Sequence, residues 1–214
     1  VLENFPQAAK VGEPLVLSTG ETIARPGIVH RIDRETSGAL VVALSAQAHA
    51  HLKSQFQSRE VKKIYHAFVY GNVKKDEDTI NRPIGRSKKD FRLWSAQRFA
   101  RGELREAITD FKVLERGHGT VAGVIKLGDD VTLVEAHPRT GRTHQIRVHF
   151  KAVNHPVVCD KLYAPKRSSL LGFKRLALHA RLVEFADIDG KVISAVAPYP
   201  EDFKNALELI SHSE

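Results

Sequence analysis

At 214 residues, with 42% apolar and 27% charged side chains, the chain is long enough for one large domain or two small ones and too apolar for a disordered chain. Its apolar runs are far shorter than the roughly 20 residues of a membrane span, no secretory pattern opens it, and a lone cysteine, Cys159, excludes an intrachain disulfide. The net charge of +8 favours polyanionic partners, nucleic acid first. A single cysteine suits a reducing compartment, and the cytoplasm is the expected location. Cys159 itself reads as a small buried hydrophobe. With no Met in the chain, sequence is expected to precede Val1.

The first 27 residues read as loop with room for one short helix. "GIVHRID" reads as a strand, which would place Arg31 and Asp33 on one face and His30 and Ile32 on the other. "ETSG" has turn chemistry, with Gly38 free to take a positive φ, and "ALVVALS" reads as a buried strand. Ser45 can cap a helix through "AQAHAHLKSQFQSRE", whose Ala48, Leu52 and Phe56 form one stripe. "KKIYHAFVYG" reads as a strand ended by Gly71. Residues 72–104 are polar, with "RPIGRSKKDFR" as a basic connection between hairpin strands. "REAITDFKVLE", "DVTLVEAH" and "KRLALHARLVEF" are further strands. Between the last two, Ile146, Phe150 and Val153 keep helical spacing behind Thr143 as a cap. "KVISAVAP" reads as a strand and "PEDFKNALELI" as a helix with Phe203, Leu207 and Ile210 on one face. Strands in consecutive runs predict an α+β fold with a mixed, largely antiparallel sheet and flanking helices, as one domain over 1–214.

The absences narrow the chemistry. "HRID" stands without the Gly-rich loop and Asp-Phe-Gly that phosphoryl transfer in kinases requires. His144 and His149 are five apart, off the i, i+4 spacing of a helical metal pair, so no metal is expected. No nucleotide-binding glycine fingerprint appears, and no cofactor is expected. A carboxylate among arginines remains. On spacing alone Asp33 is better read as a surface residue paired with Arg31 or Arg34 than as a catalytic group. "PRTGRTHQIR" places Arg139, Arg142 and Arg147 around a glycine turn, read equally as a phosphate clamp or a solvated basic loop. Tyr65 alone reads as a strand aromatic.

Four motifs change that balance. "HRIDRETSG" resembles the His-Arg-Leu-Asp-x-x-Thr-Ser-Gly motif of the RluA-type pseudouridine synthases. "KKIYHAFVYG" resembles their Lys-x-Tyr-x-Ala-x-Val-x-Gly, at Lys63, Tyr65, Ala67, Val69 and Gly71. "RTGRTHQIRVH" is similar to their Gly-Arg-Thr-His-Gln-Ile-Arg-x-His, and "LALHA" to their Leu-x-Leu-His-Ala. The motifs occur in the family's order across residues 28–180. Two features depart from it. The family's first strand, with Lys-Pro-x-Gly, and its common upstream RNA-binding domain are absent from these residues, and Cys159 stands where Gly commonly precedes Asp.

The resemblance implies a pseudouridine synthase fold with a central basic cleft, and isomerisation of uridine in RNA, ribosomal first and transfer RNA second. It implies Asp33 as the reacting carboxylate, attacking the anomeric carbon or removing the 2′ proton. Arg147 would pair with it and favour its ionised form. Tyr65 would stack on the uracil and help move the carbon 5 proton. Arg31 would enter the space left by a flipped nucleotide. His30, Arg139 and Arg142 would contact RNA, and Leu178 would wall the uracil pocket or simply pack in the core. A monomer binding RNA, with no membrane partner, is expected. The competing class is an RNA-binding module of the same fold without turnover; a two-carboxylate glycosidase is more remote, since nothing in the spacing of Glu35 or Asp160 supports a pair.

Overall fold

The computed structural model describes residues 1–17, 19–88, 90, 93–96, 100–121 and 124–211, leaving aside the side chains of 120, 121, 124–129 and 211. In chain order these form a 3-10 turn (Pro6–Lys10), strands β1 (Leu15–Val16), β2 (Thr22–Ile23) and β3 (Ser37–Gly38), and helix α1 (Ala46–Ser58). Strands β4 (Lys62–Tyr70), β5 (Glu77–Asn81), β6 (Ile84–Arg86), β7 (Trp94–Ser95), β8 (Arg101–Arg105), β9 (Ile108–Val121) and β10 (Val124–Pro138) follow. Helix α2 (Gln145–Ala152), strands β11 (Leu178–Ala186) and β12 (Val192–Val196) and helix α3 (Glu201–Ser211) complete the α+β order. The chain groups into two compact units, each assembled from several segments.

The first unit holds residues 1–32, 39–62 and 182–196. Its core is Val11, Ala43 and Leu52, with Val29, Val41, Ala48 and Phe185 packed against them. Ser45 caps α1 as its sequence predicts, its Oγ accepting the Ala48 N–H at 3.2 Å. The two strands expected over 27–33 and 39–45 do not form; the segments meet at a single β-bridge, Ile28 to Val42, where the Ala43 N–H donates to the Gly27 carbonyl at 2.8 Å. The cause is local. The His30 Nε2 takes the Val41 N–H at 2.8 Å, the hydrogen a strand partner would have received. Gly27 crosses the neighbouring segment so closely, at φ +65°, that a Cβ there would overlap the Ala43 carbonyl oxygen. The expected alternation of Arg31 and Asp33 along a strand therefore does not apply.

The second unit holds residues 33–38, 63–181 and 197–214. Its sheet runs β11, β4, β10, β9, β5, with β4–β10, β10–β9 and β9–β5 antiparallel and β3 added to β11 in parallel. Tyr65, Ala136 and Phe111 lie in one cross-strand row, and Phe150 of α2 packs on Phe111 at 5.4 Å. Phe68 lies on the other face by alternation and meets Phe203 of α3 at 5.5 Å. The two helices thus cover opposite faces, which is why Ala67, Phe68, Val69 and Tyr70 of β4 form an unbroken buried apolar run. Residues 72–104 carry β5, β6, β7 and most of β8; β6 takes up part of the 82–92 segment read as a connection, and it lies at the centre of a small sheet between its antiparallel neighbours β7 and β8. Of its basic run, residues 89, 91 and 92 lie outside the described residues. Among the described residues no helix is long and apolar enough to cross a membrane.

Candidate active site

Asp33 stands on a short segment with no ladder of its own, so side chains must hold it. A turn closes on it, the Thr36 N–H donating to the Asp33 carbonyl at 3.0 Å. Ser37 and Gly38 then pair with His179 and Ala180. Gly38 has φ +108°, and a Cβ there would overlap the Ala180 carbonyl oxygen. Arg175 donates to the Ser37 Oγ at 2.9 Å and to the Glu35 carbonyl at 3.0 Å, while its Nε pairs with Asp202 at 2.8 Å. Ser37 is left to donate to His179 Nδ1 at 2.9 Å. Burial lowers the His179 pKa, which keeps the imidazole neutral and able to accept.

Helix α2 divides its side chains by face. Ile146 and Phe150 enter the core. Gln145 and His149, one turn apart, tie the helix to β9: Gln145 Nε2 donates to the Ile108 carbonyl and to Thr109 Oγ1, both at 3.0 Å. Because the Arg82 carbonyl can only accept, His149 Nε2 carries the proton at 3.0 Å, and Nδ1 accepts from Thr109 at 2.9 Å. His144 and Arg147, i and i+3, share the remaining face. The residue at the helix cap is His144, at φ +55°, rather than Thr143, and it makes no side-chain cap bond. Gln145 replaces that cap, its Oε1 accepting the Arg142 N–H at 3.0 Å and the Thr140 hydroxyl at 2.7 Å.

Arg147 is the hub. Its Nε and Nη2 donate bidentately to Asp160 at 2.7 and 2.8 Å, and its Nη1 donates to Asp33 at 3.2 Å. Asp160 is fully buried, and its Oδ1 also accepts the Leu162 and Tyr163 N–H groups at 3.0 Å each. Burial opposes the guanidinium charge, yet the bonds and charges of Asp160 and then Asp33 outweigh it and hold the Arg147 pKa above the ordinary arginine value. The guanidinium also lies 5.0 Å from the Tyr163 ring centroid. Burial pushes the Tyr163 phenol up to about 12. Its oxygen accepts the Trp94 N–H at 3.2 Å, so its hydrogen goes to His144 Nδ1 at 2.9 Å. His144 Nε2, 4.0 Å from Asp33 Oδ1, then carries the imidazole proton. Tyr65 completes the surround: burial, and secondly the Asp33 charge, raise it to about 12. What results is a carboxylate only 15% exposed, between a fixed guanidinium and the Tyr65, Tyr163 and His144 rings. It can serve as a nucleophile or a base.

A family model described as RNA pseudouridylate synthase matches residues 7–152. The chain belongs to the RNA pseudouridylate synthase family. It is 40% identical over 187 residues to the uncharacterized RNA pseudouridine synthase YlyB of Bacillus subtilis, covering 87% of this chain and 56% of that protein. It is 37% identical over 200 residues to ribosomal large subunit pseudouridine synthase D of Xanthomonas campestris, covering 88% and 56%. The structure of human RNA pseudouridylate synthase domain containing 1 is similar with TM-score 0.70 and 33% identity, over 80% of this chain and 68% of that one. The chain spans a little over half the length of the curated relatives it matches.

Set on this pseudouridylate synthase frame, the residues expected from sequence divide. Asp33, Tyr65 and Arg147 come together. Arg31 is exposed and belongs to the other unit, as does His30, which stacks on Phe56 at 4.5 Å besides holding Val41. Arg139 is engaged by Asp110 through bonds of 2.5 and 2.9 Å. Arg142 donates its Nε to the Glu106 carbonyl at 2.9 Å. Leu178 is buried in the main core. Cys159, expected to be buried, is half-buried and left-handed at φ +58°, a backbone that explains why glycine suits this position. Sequence reasoning missed Asp160, Tyr163 and His144 as parts of the site. "DKLY" carried a signal for the first two, an Asp bonding the backbone two and three residues on, as in an Asx turn.

Proposed function

We propose that residues 1–214 form the catalytic domain of an RNA pseudouridine synthase, with ribosomal RNA as its first substrate class. The observation that carries this is the Asp33 carboxylate, largely buried and held by an arginine that is itself anchored on the buried Asp160. The reaction breaks the N1–C1′ bond of a uridine, turns the uracil, and joins its C5 to C1′. The C5 proton leaves and N1 takes one up, so no external reductant or oxidant enters. Asp33 acts next to C1′ in either route, by attack on that carbon or by removal of the 2′ proton.

Arg147 holds the carboxylate in place through its Nη1 bond. Tyr65, a neutral phenol at pH 7 given its raised pKa, serves as a stacking surface and hydrogen-bond donor rather than as a phenolate base. Its ring holds the uracil through the turn, since stacking of roughly 1–3 kcal/mol tolerates rotation in plane. Arg31, two residues before Asp33 in the chain, and Arg142 meet RNA phosphates, and the positive charge of the chain adds sequence-independent attraction. Support for ribosomal RNA comes from the similarity to a ribosomal large subunit pseudouridine synthase.

The test is tritium release from RNA labelled at uridine C5, with the wild type and Asp33→Asn compared. Release by the wild type alone is expected. Equal release by both would remove Asp33 from the chemistry, and none from ribosomal or transfer RNA by the wild type would overturn the proposed substrate.

A further inference from the structure

The chain has one tryptophan, and it stands among arginines. Trp94 on β7 pairs across to Arg86 on β6, whose other neighbour is Arg101 on β8. The Arg86 guanidinium lies 4.1 Å from the indole centroid, a cation–π contact that keeps the ring upright. Beside it a pocket is lined by Ile84, Trp94, Arg105, Gly141, Arg142 and Thr143. Its floor is apolar, Ile84 being buried in a cluster with Ala107, Val148 and Tyr163. Its rim is cationic. Arg142 spends its Nε on the Glu106 carbonyl, and among the described residues its Nη groups have no further bond. Among the described residues the Arg105 side chain meets only Glu103, at an exposed 3.4 Å. Gly141 borders open space, nothing lying within 4 Å of where its Cβ would be.

Resting on the reading of Asp33 as the reacting group, we infer that this pocket is a subsite for a nucleotide flanking the target uridine. Its base lies against Trp94 and Ile84, and its phosphate is taken by Arg105 and Arg142. An apolar floor with an indole wall and a guanidinium rim matches a nucleotide, which joins a flat apolar face to an anion. The pocket is linked to the Asp33 carboxylate: the Trp94 backbone N–H donates to the Tyr163 oxygen, Tyr163 bonds His144, and His144 faces Asp33. A flanking nucleotide seated here would therefore set the depth at which the uridine enters.

The single tryptophan makes the test direct. Asp33→Asn protein is titrated with a fluorescein-labelled single-stranded pentaribonucleotide centred on uridine, reading anisotropy and Trp94 emission together, and separately with uridine monophosphate. The pentanucleotide is expected to change Trp94 emission in step with anisotropy, and the mononucleotide to leave it unchanged. Arg105→Gln, at an exposed position, should weaken the pentanucleotide Kd about tenfold and lower the slope of log K against log salt by about 0.7, the share of one phosphate contact on a single strand. Binding silent at Trp94, no binding, or an Arg105→Gln variant with unchanged Kd and slope would overturn the subsite. Tritium release by the wild type decides the chemistry separately, so either reading can fail while the other stands.

Discussion

Replacing Asp160 by Asn removes the charge beneath Arg147 while keeping the shape of the side chain. Asp160 accepts four hydrogen bonds in a fully buried position, two from Arg147 and two from backbone N–H groups. An amide in its place turns one acceptor into a donor facing a guanidinium N–H or a backbone N–H. Breaking a buried ion pair by removing one partner costs about 3–5 kcal/mol. For a chain of this length each kcal/mol moves the midpoint by about 2–4 °C, so Tm should fall by about 6–20 °C. The fold should survive at 25 °C, because native stabilities of about 5–15 kcal/mol exceed the loss. Activity should fall further than stability predicts, since a misplacement of the reacting group by about 1 Å costs about a hundredfold. Thermal melts and single-turnover tritium release, run on Asp160→Asn, Arg147→Met and the double variant, separate the two effects. The double variant should be less destabilised than the sum of the singles, because neither member of the 147–160 pair is then left as a charge without its partner. An Asp160→Asn protein that melted within about 2 °C of the wild type and turned over normally would refute the claim that Asp160 holds Arg147 in place.

Three other outcomes follow from the same geometry. Gly38→Ala should lower kcat/KM at least about a hundredfold with circular dichroism nearly unchanged, since the new Cβ displaces the Asp33 segment from Ala180; wild-type activity would show that the segment is not held there. Cys159→Gly should raise Tm by about 1–4 °C, because it relieves a left-handed φ of +58° at roughly 1–2 kcal/mol, less the greater chain entropy of glycine. A lower Tm would show that Cys159 contributes more by packing than its backbone costs. Burial depresses the pKa of His149 below 6.5. The unfolded chain therefore binds that proton first, and the stability contribution is complete above about pH 6.5 and lost as pH falls toward the folded pKa. Melts from pH 8 to 5 should be flat and then decline, more shallowly in His149→Gln. The decline should persist in part, because burial lowers His66 and His179 in the same direction.

Much of the fold was legible because much of it obeys local rules. Ser45 caps α1, aromatic and branched residues mark β4, and Phe203, Leu207 and Ile210 mark α3. The segments around Asp33 were misread for a physical reason: apolar residues there do what strand residues do, but His30 supplies a ladder hydrogen bond from its side chain and Gly27 allows a crossing too close for regular pairing. Nothing in a short apolar run reveals that its partner is an imidazole. β3 escaped for a related reason, since two residues in parallel with a strand more than 140 positions on have no periodicity to detect. The grouping of Asp33, Tyr65 and Arg147 came from motif resemblance and not from spacing, which by itself favoured a surface ion pair for Asp33. Asp160 was weighed only as a second acid for sugar chemistry, when its use is to hold a guanidinium.

The four motifs make physical sense together once Asp33 is seen to have no strand beneath it. A loop carboxylate must be fixed to within about half an ångström for chemistry at one carbon, and regular structure cannot do this here. Three anchors from separate parts of the chain take its place: the short pairing of Ser37 and Gly38 with β11, the Arg175–Ser37–His179 chain, and the Asp160–Arg147 pair reaching Asp33 from α2. Each anchor is itself held, α2 by Gln145 and His149 on β9, and Arg175 by Asp202. These motif side chains thus hold one another and the backbone, and together they supply the support that the chain around Asp33 lacks. A carboxylate on a strand would require one motif; one on an unsupported turn requires the strand, the helix and the distant residues that replace that support.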